Sequence, residues 1–390
     1  MAASSSWSLL LPIIGNYHRS DGNYKRSALR DPRRHGLRRR AFPPRRHLVL
    51  VEAHTHLCAD SSLTALDRMP SLSRAELSTT IADSLRTELA AGVTTVRDLG
   101  DHDYAVVDHR NDAVAGRDNP AVNARSPAIV ASGPPITTPD GHCASMGGGV
   151  HGVEAVRRAV RERADRGADV VKVMATGGMM TAGTDVRACQ FTHDEMRAIV
   201  DEAHRLGLPV TAHAHATAGI EQCVDAGVDG IEHAGFFGAD GIDTPPALVR
   251  RIAAAGIVVC PTVGADVRPG TVLPDRLIKA GFTPEGRRAQ VGALYRAGVT
   301  LISGVDAGIH PAKPHGYLPR SIAELAACGV PAAALASATS LAAKACGVSS
   351  RTGCLKAGLD ADLLLVHGDP LHDLTALQNV HTVFRAGHRL

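Results

Sequence analysis

A chain of 390 residues, 44% of them apolar, is long enough for one large core or two average domains, and too apolar to be disordered throughout. Aromatic residues make up only 3%, which argues against a base-stacking nucleic-acid surface; the eight scattered cysteines form no Cys-x-x-Cys pair and read as free thiols of a reducing cytosol. The net charge of +3 is uneven: residues 19–46 hold ten Arg and one Lys against Asp21 and Asp31, a surplus of +9 that leaves −6 for the rest.

Residues 1–47 read as a basic leader apart from the rest. The apolar run Trp7–Ile14 precedes the basic stretch, the reverse of a secretory signal, and is too short to span a bilayer. A cytoplasmic protein without a membrane anchor is therefore expected. The leader reads as a disordered tail or aberrant translation; a polyanion-binding arm is the competing reading.

Regular structure is expected from His47-Leu-Val-Leu-Val-Glu-Ala-His54-Thr-His56. Alternation along a strand puts His54 and His56 on one face. A helix follows over 73–90, then strands at 94–100 and 128–132, with a polar connection over 101–125 between them. The glycine-rich loop 133–149 carries His142, a candidate substrate contact or a solvated loop residue. A helix over 153–166 leads to the strand Asp169-Val-Val-Lys172-Val-Met. Thr192 and Glu195 form a capping box that opens the next helix. The strand Pro-Val-Thr-Ala-His213-Ala-His215 follows, then a helix, then Gly-Ile-Glu-His233-Ala. Further strands are expected at 257–262 and 300–306, the last ending in Asp306, with a helix starting at Thr283 between them. Helices over 321–327 and 331–346 complete the repeat, and two strand segments finish the chain.

Short Val- and Ile-rich runs, each leading into a loop and an amphipathic segment, are the rhythm of parallel strands joined by helices. Eight such repeats between 48 and 346 make an α/β fold, a (β/α)8 TIM barrel, with residues 347–390 forming a small sheet. In a barrel the C-terminal strand ends converge, so His54, His56, Lys172, His213, His233 and Asp306 are brought to one pocket. Lys172 alone would read as a strand-end lysine paired with a carboxylate; beside the imidazoles, carbamylation would turn it into an anionic ligand. Tyr317, Lys313, His310 and His315 line the same region or are solvated.

Five segments carry a resemblance: Val-Glu-Ala-His54-Thr-His56-Leu, Val-Lys172-Val-Met-Ala-Thr-Gly-Gly, Ala-His213-Ala-His215, Gly-Ile-Glu-His233-Ala and Ser-Gly-Val-Asp306-Ala-Gly. In that order they resemble the amidohydrolase superfamily, in the branch of imidazolonepropionase-like proteins and Xaa-Pro dipeptidases with a carboxylated lysine. The resemblance implies two divalent ions, usually zinc. His54, His56 and Asp306 would hold one and His213 and His233 the other, with carboxylated Lys172 bridging. Asp306 would move the proton during attack on a carbon–nitrogen bond, and His215 and His142 would contact substrate. The implied substrates are small amides, Xaa-Pro dipeptides or N-acyl amino acids. Cyclic-amide or lactone hydrolysis is the alternative within the class, and an inactive barrel with a polyanion-binding arm the alternative outside it. Self-association is left open. Because residues 1–47 lack the alternation of the family's N-terminal strands, the C-terminal strands are expected to form an incomplete β-sandwich with an unpaired edge.

Overall fold

The apolar runs become parallel strands in the computed structural model of the protein, which describes residues 45–115, 126–267, 277–278 and 281–390. Strand β1 is Arg45–Leu48 and β2 Leu50–Thr55; β3 (Val93–Asp98) and β4 (Ala128–Ala131) follow, then β5 (Val171–Met174), β6 (Val210–Ala216) and β7 (Gly230–Gly238). A two-residue β8 (Gly241–Ile242) folds back on β7, β9 is Val258–Cys260, and β10 (Leu363–His367), β11 (Val380–Arg385) and β12 (His388–Arg389) come last.

Strands β2, β3 and β4 form one parallel sheet, and β5, β6, β7 and β9 another. Single parallel bridges Ile136↔Val173, Val259↔Leu301 and Thr55↔Ala307 join them into a ring. The expected strand at 300–306 is therefore reduced to bridges at its two ends. Between them Gly304 lies against β2, where an added Cβ would come within 2.7 Å of the His54 Cβ. Register sets the site. Met174 pairs with His213, Lys172 with Thr211 and Ala214 with His233, so the chemistry-bearing residues sit at neighbouring levels of β5, β6 and β7.

Helices wrap the ring, with Arg74–Ala90, His193–Arg205 and Thr217–Ala226 among them. Helix starts follow local chemistry: Thr192 accepts from Glu195 N while the Glu195 carboxylate accepts from Thr192 N, the reciprocal cap that satisfies two otherwise orphaned amides. Leu77, Ile81 and Leu85 on the first helix and Met196 and Ile199 on the second are buried against the strands. The connection expected over 101–125 contains a helix, Ala105–Ala115. Residues 331–346 form two short helices, Pro331–Ser337 and Ser340–Ala345.

The small sheet runs β1-β10-β11-β12. The small C-terminal sheet forms as expected; its β10 edge is covered because Arg45–Leu48 pairs antiparallel with it, which leaves β1 as the edge strand. An edge strand needs only its backbone amides and tolerates charge, so Arg-Arg-His-Leu gives no apolar alternation to read. Apart from residues 45–47, the expected disordered or aberrant leader lies outside the described residues. Among the described residues no helix is long and apolar enough to cross a membrane.

Candidate metal centre

The side chains expected to converge do so. His54, His56, Lys172, His213, His233 and Asp306 are buried toward the C-terminal ends of the strands, His142 is buried in the loop after β4, and His215 is half-buried beside them. They form two donor groups. One nitrogen each from His54 and His56 and an oxygen of Asp306 lie within 4.8 Å of one another, and so do nitrogens of His213, His215 and His233. Asp306 Oδ1 is 3.1 Å from His56 Nε2 and 3.3 Å from His54 Nε2. The groups adjoin, with the His54 and His233 rings 5.4 Å apart and those of His213 and His233 4.7 Å apart.

Hydrogen bonds from behind decide which nitrogen faces inward. His56 Nδ1–H donates to the Gly100 carbonyl at 3.0 Å and His54 Nδ1–H to Glu232 Oε2 at 2.7 Å, turning Nε2 of each toward Asp306 Oδ1. His233 Nδ1 meets Thr262 Oγ1 at 2.9 Å, freeing Nε2. His213 is reversed: Nε2–H donates to the Gly177 carbonyl at 3.2 Å, so Nδ1 is the inward donor. Orienting partners of this kind fix the tautomer of metal-ligating histidines.

Protonation states suit cations. Burial, reinforced by neighbouring imidazoles and Lys172, holds His213 and His233 well below the usual histidine range, and lowers His54 to about 4 and His215 to about 3. All four are neutral at pH 7, with lone pairs to offer. Burial would raise Asp306, but His54 and the His56 hydrogen bond outweigh it and hold the carboxylate ionised. Burial also works against a charged His56, yet Asp306 and Asp98 raise its pKa. Lys172 is 1% exposed, its ammonium is disfavoured by burial, and its Nζ has no hydrogen-bond partner among the described residues. An unpaired buried amine is costly unless something else occupies the space around it. The donor set, with neutral imidazoles beside an ionised carboxylate, fits divalent cation binding.

His142 flanks the His213 ring at 4.5 Å, with Nδ1 on Thr181 Oγ1 at 2.9 Å. Gly178 packs so closely on it that an added Cβ would lie 2.3 Å from Nε2. His215 stacks on His233 at 4.7 Å, and its Nδ1 lacks a partner. Of the four residues expected to line this region or be solvated, three hold neighbouring loops by hydrogen bonds. Lys313 Nζ donates to the carbonyls of Thr262 and Gly264, Tyr317 Oη to Ala265, and His315 bonds Ala59 O and faces Glu88.

Sequence reasoning passed over Glu232. Strict alternation would send it away from the face that carries His233. His233 instead takes φ 68°, turning its ring back over the lumen while Glu232 stays inside. There Glu232 binds His54, Arg97 Nη2 at 2.9 Å and Thr211 Oγ1 at 2.7 Å. The available signal was a carboxylate beside His233 in a strand otherwise built of Gly, Ala, Ile and Phe.

Fold and site together define a barrel protein whose strand ends carry a histidine, lysine and aspartate cluster. The amidohydrolase family model matches residues 50–390, and the chain belongs to that family. Ochratoxinase of Aspergillus niger is 31% identical over 239 residues, 60% of this chain and 48% of that protein, so the chain spans about half the length of this relative. Among solved structures, a Xaa-Pro dipeptidase with bound methionine in the active site superposes with TM-score 0.74 and 26% identity, over 88% of this chain and 86% of that one. A prolidase complexed with N-methylphosphonate-L-proline gives TM-score 0.71 and 26% identity over the same shares of the two chains.

Proposed function

We propose that the protein hydrolyses an amide bond of a small substrate, with Xaa-Pro dipeptides and N-acyl amino acids the first class to test, using two divalent cations, zinc foremost. The observation that carries this is the pair of adjoining donor groups, His54–His56–Asp306 and His213–His215–His233, each closing within 4.8 Å. The likeness to a Xaa-Pro dipeptidase at TM-score 0.74 supports the substrate class.

His54, His56 and Asp306 would hold one cation and His213 and His233 the other. Lys172, favoured as the neutral amine by its burial, would add to carbon dioxide through Nζ, losing a proton and becoming an anionic carbamate with an oxygen for each side. Cations bound there supply Lewis acidity, lowering the pKa of water and polarising a carbonyl. Asp306, held ionised, takes the proton of the attacking water and returns it to the departing nitrogen, so the amine leaves neutral. His142 and His215, both beside His213, face the substrate side and orient it. Glu232 and Gly100 keep the first histidine pair aimed.

The test is metal analysis of the purified protein together with turnover of a panel of Xaa-Pro dipeptides and N-acyl amino acids before and after chelation. About two equivalents of divalent metal and chelator-sensitive hydrolysis are expected. Protein that cleaves these amides with no more than trace metal refutes the mechanism, and metal-loaded protein inert across the panel refutes the substrate class.

A further inference from the structure

His233 is reached from behind by a half-buried cation that the functional reading does not use. Arg287 lies on the helix Pro284–Arg296, and its guanidinium points into the barrel wall. It donates to the carbonyl of Ala234 at 2.9 Å, to that of Pro261 at 2.8 Å, and to those of His233 and the Gln290 side chain. The three backbone acceptors border turns in the left-handed region: His233 at φ 68°, Ala234 at 49° and Thr262 at 48°. Side chains with a Cβ adopt that conformation only where the surroundings over-determine it. Here the surroundings are cationic. Arg287 grips one side, and Lys313 Nζ donates to the carbonyls of Thr262 and Gly264 at 2.7 Å each on the other.

Neither cation is placed to help a dication by charge, since like charges repel. What Arg287 offers is a rigid planar fork whose N–H groups can hold several carbonyls in fixed relation. The turn it clamps carries His233, whose Nδ1 bonds Thr262 Oγ1 across the same clamp. We propose that Arg287 is a positioning residue, locking the left-handed turn His233–Ala234 against Pro261 and so aiming His233 Nε2 into the donor group shared with His213 and His215. The inference rests on the reading of that group as a cation site.

Arg287→Lys keeps the charge and loses the fork; Arg287→Met keeps the length and loses both. Arg288→Met serves as the control on the same helix, because Arg288 is exposed and pairs only with Glu324 among the described contacts. Crystal structures of the metal-free variants are expected to show the His233 ring displaced by about 1 Å with its turn relaxed in both Arg287 variants, and unmoved in Arg288→Met. Titration with Co2+ is expected to give two equivalents for wild type and an unchanged first equivalent for the Arg287 variants. Their second equivalent is expected to weaken about tenfold or more. Free guanidinium ion added to Arg287→Ala should restore it.

A His233 ring that stays within about 0.5 Å of its wild-type place in both metal-free Arg287 variants overturns the proposal, even if their melting temperatures fall. Wild-type protein that takes up no Co2+ refutes the cation reading instead, and the metal-free structures still decide the positioning.

Discussion

Glu232 Oε2 accepts from His54 Nδ1 at 2.7 Å while Glu232 Oε1 accepts from Arg97 and Thr211, so one buried carboxylate orients His54 and neutralises a buried guanidinium at once. Arg97 and His54 hold this carboxyl below the usual range against the burial that would raise it. Glu232→Gln keeps the shape and an acceptor but removes the charge. Divalent metal affinity is expected to fall about 10- to 100-fold, and stability by about 3 kcal/mol as Arg97 loses its partner. Isothermal titration and urea unfolding read the two effects. Unchanged affinity would mean that Glu232 serves Arg97 alone.

Lys172 is predicted to be replaceable by a diffusible carboxylate. Lys172→Ala should lose the bridge, with activity down about a thousandfold, equivalent to about 4 kcal/mol of transition-state stabilisation. Propionate or acetate in the buffer should recover part of it, because the small side chain leaves room where the orphaned Nζ stood. Activity of the variant that equals wild type without any added acid would dispose of a carbamate bridge.

In the proposed mechanism Asp306 would combine a ligand position with the proton-transfer role, and the two can be separated. Asp306→Asn retains an oxygen donor toward His54 and His56 but cannot accept a proton. The expected outcome is a fall in kcat of about 10^2- to 10^4-fold with KM little changed. Cobalt stoichiometry on the same sample shows whether the site still loads. A loaded variant with undiminished kcat removes Asp306 from the proton path.

Much of this was legible in the residues, for identifiable reasons. Val171–Met174 and Val210–Ala216 are apolar runs bounded by turns, and Thr192 with Glu195 marks a helix start by local hydrogen bonding, so the repeat and its strand ends could be placed from periodicity. His54 and His56 share a face by alternation. What escaped depends on long-range geometry. Arg45–Leu48 joins its sheet through backbone amides rather than side-chain pattern. The stretch 300–306 has the composition of a strand, yet Gly304 tucked beneath His54 and Asp306 at φ 66° carry it off the ladder. Glu232 and His233 are adjacent in sequence and serve the same centre because of a left-handed turn that no periodicity encodes.

The buried neutral imidazoles make the metal-free protein sensitive to acid. An unfolded histidine titrates near 6.5, whereas burial and then Lys172 lower folded His54 to about 4, with Glu232 and Asp306 pulling the other way. Between those values the unfolded chain binds more protons than the folded one, so stability rises with pH and is lost as pH falls from 6.5 toward 4. For His54 alone the loss at pH 5 is about 2 kcal/mol, and His213 and His233, held lower still, act in the same direction. Asp306 and Glu232, with carboxyls below the ordinary range, contribute stability that persists through this window and fades only below about pH 4. Asp98 and Asp101, whose carboxyls burial raises to about 6 and about 7, gain stability as pH falls through the same window, so the imidazole contribution is read as a difference between variants. From pH 7 to pH 5 the melting temperature of chelator-treated wild type should fall by about 2 °C or more relative to that of chelator-treated His54→Asn. Parallel melting curves for the two proteins across that range would contradict an uncharged His54.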